Sequence, residues 1–172
     1  MIPKKVSGRD SDKLSKRISL EEIQEAIKAM ANEKALGMDG LPIEFYKDNI
    51  DWIGEELLLF YNDAFDNDSL GSDMNRGIIK LLPKTGDESF VKNWRPITLL
   101  NLSYKIIAKL LARRIADITK NIVSVTQTGF IRGRYILENL ITSWEAMNWA
   151  KESGQEVAMI LLDFEKAYDR VE

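Results

Sequence analysis

Apolar residues recur along this chain at the spacing of amphipathic helices, and this pattern predicts its first elements. Residues 1–17 are polar and aperiodic, which predicts a disordered segment or linker. A helix is then predicted to begin after Ser19, which fits a capping box with Glu22, and to end near Lys34. A second helix is predicted from Ile43 to about Phe65, where its apolar stripe stops.

Shorter apolar runs in the middle of the chain predict a β-hairpin followed by a helix. The strand Gly77–Pro83 stops at a proline, and Trp94–Leu100 returns as an extended segment after a stretch of turn-forming residues. A long basic helix, which Asn101 or Ser103 could cap, is predicted to end near Thr119.

The C-terminal part of the chain is predicted to hold one more helix and one buried strand. The helix ends before Gly154 and carries Trp144 and Trp149 in a stripe expected to be core. The continuous apolar run Val157–Leu162 predicts a strand buried on both faces. Asp163 follows directly, and because an isolated carboxylate is very costly to bury, it is expected near water, a metal or a base. Taken alone, an Asp here more often caps the next helix. Helices with scattered strands predict an α+β or α/β fold.

Composition narrows the possible chemistry. The 172 residues, 45% hydrophobic and 30% charged, suffice for one globular core and contain neither cysteine nor histidine. Disulfides, thiolate or imidazole metal sites and histidine bases are therefore excluded, and any metal must be held by oxygen ligands, as Mg²⁺, Mn²⁺ and Ca²⁺ are. No apolar run approaches the ~20 residues that span a bilayer, and no secretory signal is evident. We therefore expect an intracellular protein with no membrane contact.

The net charge of -3 conceals a basic central block. Residues 1–75 hold 9 Lys and Arg against 16 Asp and Glu, a net of -7. Residues 76–136 hold 12 against 3, a net of +9, and residues 137–172 hold 3 against 8, a net of -5. Such a block is typical of a surface that faces a polyanion, but solvated basic helix faces give the same count, and charge alone leaves the two interpretations even.

Two basic segments are candidate phosphate-binding sites. Lys80, Lys84 and Arg95 flank the predicted turn, where they could grip a triphosphate; lysines that protect a strand edge from aggregation are an equally good explanation. The loop from Gly129 to Arg134 combines two glycines, Phe130, Arg132 and a second arginine, which suits a phosphate backbone or a stacked base. Taken alone, this loop is better explained as an ordinary connection into a helix.

The order of these segments resembles the reverse transcriptase domain of non-LTR retrotransposons of the long interspersed element type. The resemblance covers about residues 20–172, and the motifs are specific as an ordered set. They are the segments Lys34–Tyr46, Ile79–Lys84, Asn93–Asn101, Lys105–Ile115, Gln127–Ile131 and Leu162–Asp169.

The resemblance implies a right-hand polymerase fold of fingers, palm and thumb. Residues 18–75 would form a helical N-terminal extension, 76–155 a mostly helical fingers-like region with a few short strands, and 156–172 the first palm strand with the first catalytic motif. The family's Tyr/Phe-Ala-Asp-Asp motif is not found, so the chain is expected to be a truncated palm that is inactive as a polymerase on its own.

The resemblance also assigns roles to single residues. Asp163 matches the first catalytic and metal-binding aspartate, which would hold two Mg²⁺ ions, or Mn²⁺, together with aspartates of a later motif. Phe164 would contribute backbone groups to metal or phosphate, and Tyr168 would stack under the incoming sugar and reject a 2′-hydroxyl. Lys84 and Arg95 match the cations that contact the incoming triphosphate.

Further matches concern nucleic acid. Gln127, Gly129 and Phe130 match a segment near template and nucleotide, with Arg132 and Arg134 beside them, and Gly37–Tyr46 matches a stretch that touches template. The expected function is a fragment of an RNA-directed DNA polymerase with RNA template, DNA primer and dNTP as partners, plausibly nuclear. The alternative is a non-catalytic nucleic-acid-binding remnant, or a translated relic without function.

Overall fold

Helices dominate the computed structural model, which describes residues 6–163. The elements are α1 (Gly8–Leu14), α2 (Leu20–Lys28), α3 (Ile43–Asp48), α4 (Ile50–Asp66), β1 (Gly77–Pro83), a 3₁₀ turn (Val91–Asn93), β2 (Trp94–Leu100), α5 (Leu102–Ile122) and α6 (Leu137–Ser153). The chain divides into two units, Met1–Ile122 and Val123–Glu172. No helix within the described range is long and apolar enough to cross a membrane.

The helix α1 lies where the sequence predicted a disordered segment or linker. Ser7 caps it, because the Ser7 hydroxyl accepts a hydrogen bond from the Asp10 amide at 3.1 Å. None of its residues is buried, so its apolar content gives no signal for a helix. A local cap and a tertiary contact with the segment that follows α1 account for the difference.

That contact is made by Arg114 of α5. Its Nε and Nη2 donate to the two carboxylate oxygens of Glu22 at 2.8 and 2.7 Å, a bidentate ion pair. The remaining guanidinium hydrogens reach the carbonyl oxygens of Leu14, the last residue of α1, and of Lys16 and Arg17 beyond it. Only 9% of the Arg114 side chain is exposed. One arginine therefore joins α5, α2 and the segment between α1 and α2.

The predicted start of α2 is confirmed, and its predicted end is wrong. Ser19 and Glu22 form both hydrogen bonds of the capping box. The helix ends at Lys28 instead of continuing to Lys34. Beyond the helix end, Lys47 of α3 donates to the Met30 carbonyl at 2.9 Å, and Glu33 has a left-handed backbone with φ of 56°, so this segment turns away from the helical path.

The predicted single helix from Ile43 to Phe65 is two helices, α3 and α4. Asn49 leaves the helical region, with φ of -115° and ψ of 13°. Its side-chain amide donates to the Phe45 carbonyl at 2.8 Å and so satisfies the end of α3. The apolar period continues across this break, which is why the pattern alone does not reveal it.

The core of the first unit lies where α2 packs against α3, α4 and α5. Its buried residues are Ile18, Ile23, Ala26, Ile27, Ile43, Tyr46, Tyr61, Met74, Leu102, Ile106, Ile107 and Leu110. Tyr61 is fully buried, and its hydroxyl donates to the Ser103 carbonyl at 2.8 Å. Burial raises the pKa of Tyr61, so this hydroxyl remains a donor at all ordinary pH values.

The predicted hairpin is confirmed with the predicted strand limits. β1 and β2 pair antiparallel, and the Lys84 amide extends the ladder to the Asn93 carbonyl at 2.6 Å. Hydrogen-bonded and non-hydrogen-bonded pairs alternate along such a ladder, so Pro83 and Pro96 both fall in non-hydrogen-bonded pairs. A residue in such a pair does not donate its N–H to the partner strand, and this explains why the strands tolerate both prolines.

The second unit differs from its prediction in two respects. Residues 157–163 form no strand, and their apolar side chains are exposed; a buried strand needs a paired neighbour, and the sheet of the described residues contains β1 and β2 alone. The predicted end of α6 is confirmed, with Gly154 as a left-handed C-cap. Trp144 and Trp149, expected in the core, are 62% and 63% exposed.

We predict that Arg114→Ala lowers the free energy of unfolding by about 2–3 kcal/mol, since it leaves a carboxylate and three carbonyls without a charged donor. Arg113→Ala is the matched control. Arg113 pairs with Glu25 at 2.8 Å, but 45% and 62% of these two side chains are exposed, so its loss should cost less than about 1 kcal/mol. Urea unfolding followed by circular dichroism measures both losses. Equal losses would contradict the structural role of Arg114.

Stability should also depend on pH through Glu22. The Arg114 guanidinium, above all, holds the pKa of Glu22 below its usual value, against the opposing effect of burial. A depressed folded-state pKa adds stability above the unfolded pKa of about 4.3, and this stability is lost as pH falls through the folded pKa. Between about pH 5 and 3 the urea midpoint of the wild type should fall more than that of Glu22→Gln, which keeps the capping geometry. Parallel curves would refute this coupling.

Candidate nucleic-acid interface

The hairpin gathers three of the sequence-predicted cations on one face. The register pairs Lys80 with Ile97 and Leu82 with Arg95, and side chains of paired residues point to the same face. Lys84, two residues beyond Leu82 and opposite Asn93, continues the alternation on that face. The opposite face carries apolar residues, among them Ile79, Leu81 and Pro96.

Hydrogen bonds at the tip hold the ends of the strands in place. Trp94 Nε1 donates to the Glu88 carbonyl at 2.8 Å, and Asn93 Nδ2 donates to the Asp87 carbonyl at 2.7 Å. The Asp87 carboxylate accepts the Ser89 amide at 2.9 Å, and this bond lowers the pKa of Asp87. The tip is thus ordered by its own polar groups, although no helix among the described residues packs extensively against the hairpin.

The cations of the hairpin and those of α5 are used differently. Lys80, Lys84 and Arg95 are exposed and form no ion pair with any residue between 6 and 163. On α5, by contrast, Arg113 and Arg114 pair with glutamates of α2. The basic block is therefore partly structural, and the three cations of the hairpin face are among those that no described carboxylate pairs with.

A second feature of the first unit joins two distant motif segments. The amide of Asp39 donates to Asn101 Oδ1 at 3.3 Å, just before α5, and Asp39 in turn accepts the Leu41 amide at 3.2 Å. A side chain on Gly37 would collide with Asn101, so glycine is required for this close approach. No local pattern signals this role of Asn101, for which the sequence predicts only a possible helix cap. Burial raises the pKa of Tyr46, and the negative charge of Asp39 adds to this effect.

In the second unit, Arg134 holds together the loop predicted to bind nucleic acid. Its Nη1 donates to the carbonyls of Ser124 and Gln127, the latter at 2.7 Å, and Nη2 donates to the Val123 carbonyl at 3.2 Å. Asn139 of α6 donates to the Thr126 carbonyl at 3.3 Å. Sequence reasoning treated Arg134 as a surface cation, because partners up to eleven residues away in a loop leave no periodic signal.

This loop presents Phe130 outward. The Phe130 ring is fully exposed, and its backbone has φ of 61°, a left-handed value that few bulky residues adopt. Gln127 Nε2 donates to the Gly129 carbonyl at 3.4 Å, and Arg132 is exposed at the turn that follows Phe130. Thr128, between Gln127 and Gly129, is buried, and its hydroxyl has no hydrogen-bond partner among the described residues. The predicted nucleic-acid residues of this loop are therefore neighbours in space as well as in sequence.

The predicted metal site is only partly within the described residues. Asp163 is exposed, and between residues 6 and 163 no three carboxylates cluster as a metal site would require. These residues therefore do not by themselves fit a two-metal centre. Phe164 and Tyr168 lie outside the described residues.

Comparisons with known proteins identify the family. The sequence model described as reverse transcriptase (RNA-dependent DNA polymerase) matches residues 82–172. The chain is 35% identical over 167 residues to the Transposon TX1 uncharacterized 149 kDa protein of Xenopus laevis, which covers 97% of this chain and 13% of that protein. It is 28% identical over 159 residues to the probable RNA-directed DNA polymerase from transposon BS of Drosophila melanogaster, covering 91% and 18%.

A third relative is the retrovirus-related Pol polyprotein from type-1 retrotransposable element R2 of Popillia japonica, 29% identical over 91 residues, or 53% of this chain and 12% of that protein. The chain thus spans less than a fifth of the length of each of these relatives. The family match covers more than half of the chain and confirms the resemblance in the ordered motifs. The chain belongs to the reverse transcriptase (RNA-dependent DNA polymerase) family and resembles its non-LTR retrotransposon members.

Proposed function

We propose that this chain is the template- and nucleotide-binding part of an RNA-directed DNA polymerase, with the hairpin acting as part of the fingers and Asp163 beginning the palm. The observation that carries the proposal is the hairpin face of Lys80, Lys84 and Arg95, whose charges no described residue neutralises. Family membership supplies the ligand class, since template-directed nucleotidyl transfer requires a polyanionic template and a triphosphate.

The cations have complementary abilities. A guanidinium such as that of Arg95 presents parallel N–H donors that match two phosphate oxygens, whereas Lys80 and Lys84 act as mobile point charges. Their shared face lets them approach one phosphate-bearing strand or a triphosphate together. Because side chains at the tip donate hydrogen bonds to main-chain carbonyls, the cations are pre-positioned, and less entropy is lost when the ligand binds.

The loop of the second unit would contact an unpaired base. Phe130 offers both faces of its ring, and base–aromatic stacking tolerates any sequence. Arg132 beside it, together with Gln127 and Gly129, forms the remaining part of the proposed nucleic-acid contact. Asp163 would hold Mg²⁺, or Mn²⁺, jointly with carboxylates that the described residues do not include; the metal would neutralise charge on the transferring phosphate. By family we further propose RNA template, DNA primer and dNTP as partners and an intracellular, nuclear site of action.

A binding experiment tests the hairpin. We expect the protein to bind a fluorescein-labelled RNA–DNA hybrid with an affinity that falls as salt rises, and we expect Lys80→Ala and Arg95→Ala each to reduce the slope of log affinity against log salt by about 1. Each phosphate contact releases counterions from the nucleic acid, and each variant removes one contact. Fluorescence anisotropy at several salt concentrations gives the slope.

Lys13→Ala is the matched control, because Lys13 of α1 lies outside the hairpin and its loss changes net charge by the same amount. The control should leave the slope unchanged. A slope near zero in the wild type would overturn the proposal. Equal effects of all three substitutions would show that the hairpin contributes only net charge and no specific phosphate contact.

A further inference from the structure

Arg134 is committed to its own loop by an unusual set of acceptors. Three carbonyl oxygens, those of Val123, Ser124 and Gln127, converge on its guanidinium. Converging carbonyl dipoles repel each other, so this loop shape needs a planar cation with several donors at its centre. A lysine supplies the charge on a single nitrogen and cannot reproduce the fork of two nitrogens that meets these carbonyls.

Other bonds of the same loop act in the same direction. Asn139 donates to the Thr126 carbonyl at 3.3 Å, and the hydroxyls of Ser124 and Thr126 bond each other at 2.9 Å. The Arg134 amide donates to the Ile131 carbonyl at 3.1 Å and closes the turn after Phe130. These contacts fix the backbone on both sides of Phe130.

The conformation of Phe130 requires such support. A bulky residue in the left-handed region is strained and persists only where its surroundings over-determine the backbone. The exposed ring gains no packing that offsets this strain. The loop therefore holds Phe130 in place without help from contacts of the ring itself.

We infer that Arg134 is a positioning residue, which fixes the loop so that Phe130 presents its ring to an unpaired base of single-stranded nucleic acid. This inference rests on the proposed function, and it replaces direct phosphate contact by Arg134 as the reason why this arginine matters for binding. The ligand class is single-stranded RNA or DNA, because only an unpaired base exposes a face for stacking.

A double-mutant cycle tests the inference, with fluorescein-labelled oligouridylate as the probe. Phe130→Ala should weaken binding about tenfold, within the range of one lost stacked base. Arg134→Lys should weaken binding to a similar extent while leaving the salt slope unchanged. In the Phe130→Ala background, Arg134→Lys should then have no further effect, because a residue that acts through Phe130 has nothing left to position.

A second variant tests the same role without changing a charge, and it provides a second cycle if Arg134→Lys does not fold. Asn139→Ala takes away the donor to the Thr126 carbonyl but no cation, and it should weaken binding in the wild type and not in Phe130→Ala. Phe130→Tyr keeps the ring and should retain binding. Circular dichroism melting establishes that each variant is folded, and a variant that is not folded is left out of the cycle, which the Asn139 pair completes alone.

The outcomes separate this inference from the proposed function. If the wild type binds neither the RNA–DNA hybrid nor oligouridylate in a salt-dependent way, the proposed function fails. If the wild type binds but the substitutions at Arg134 or Asn139 add to Phe130→Ala, or if Arg134→Lys retains full affinity, only the positioning role fails. Direct phosphate contact by Arg134 would instead leave affinity and salt slope nearly unchanged in Arg134→Lys, which keeps the charge, and would lower the slope by about one unit in Arg134→Ala.

Discussion

The bidentate pair between Arg114 and Glu22 is the interaction on which the first unit depends. A guanidinium that is nine-tenths buried is stable only when its donors are satisfied, and here a carboxylate and three carbonyls satisfy it. The same contact places α2 on α5 and holds the segment that leads out of α1. Because Glu22 also completes the capping box of α2, helix initiation and tertiary packing share one side chain.

This architecture changes how the basic block should be understood. From sequence, the +9 net charge of residues 76–136 was evenly explained by a polyanion-facing surface and by solvated helix faces. The structure adds a third explanation, since Arg113 and Arg114 belong to the packing of α5 and Arg134 belongs to a loop. Net charge over a window therefore overestimates the charge available to a ligand, whereas Lys80, Lys84 and Arg95 of the hairpin face are exposed and form no ion pair with the described residues.

How much the sequence predicted depended on the range of the interaction concerned. The capping box, the hairpin limits and the Gly154 cap use signals within a few residues, and all three were found. The break at Asn49 lies inside an unbroken apolar period and was missed. The partners of Arg114 lie 92 to 100 residues away, and no single sequence shows them. The strand at 157–162 was predicted from its own residues. A strand forms only when it pairs with a neighbour, and no described strand pairs with these residues.

The candidate site follows the same division. Residue types identified Lys84, Arg95 and Phe130 as chemistry-bearing, because cations and an aromatic beside turns are local features. What sequence could not supply is the order that makes them useful: the register that sets Lys80 and Arg95 on one face, and the guanidinium that shapes the loop around Phe130. In both places the side chains expected to meet a ligand are exposed, while the residues that support them form hydrogen bonds with the nearby main chain. An exposed charge or ring can meet a ligand without reorganisation only when its support is complete, so the bonds of Trp94, Asn93 and Arg134 are as much a part of binding as the side chains that would touch nucleic acid.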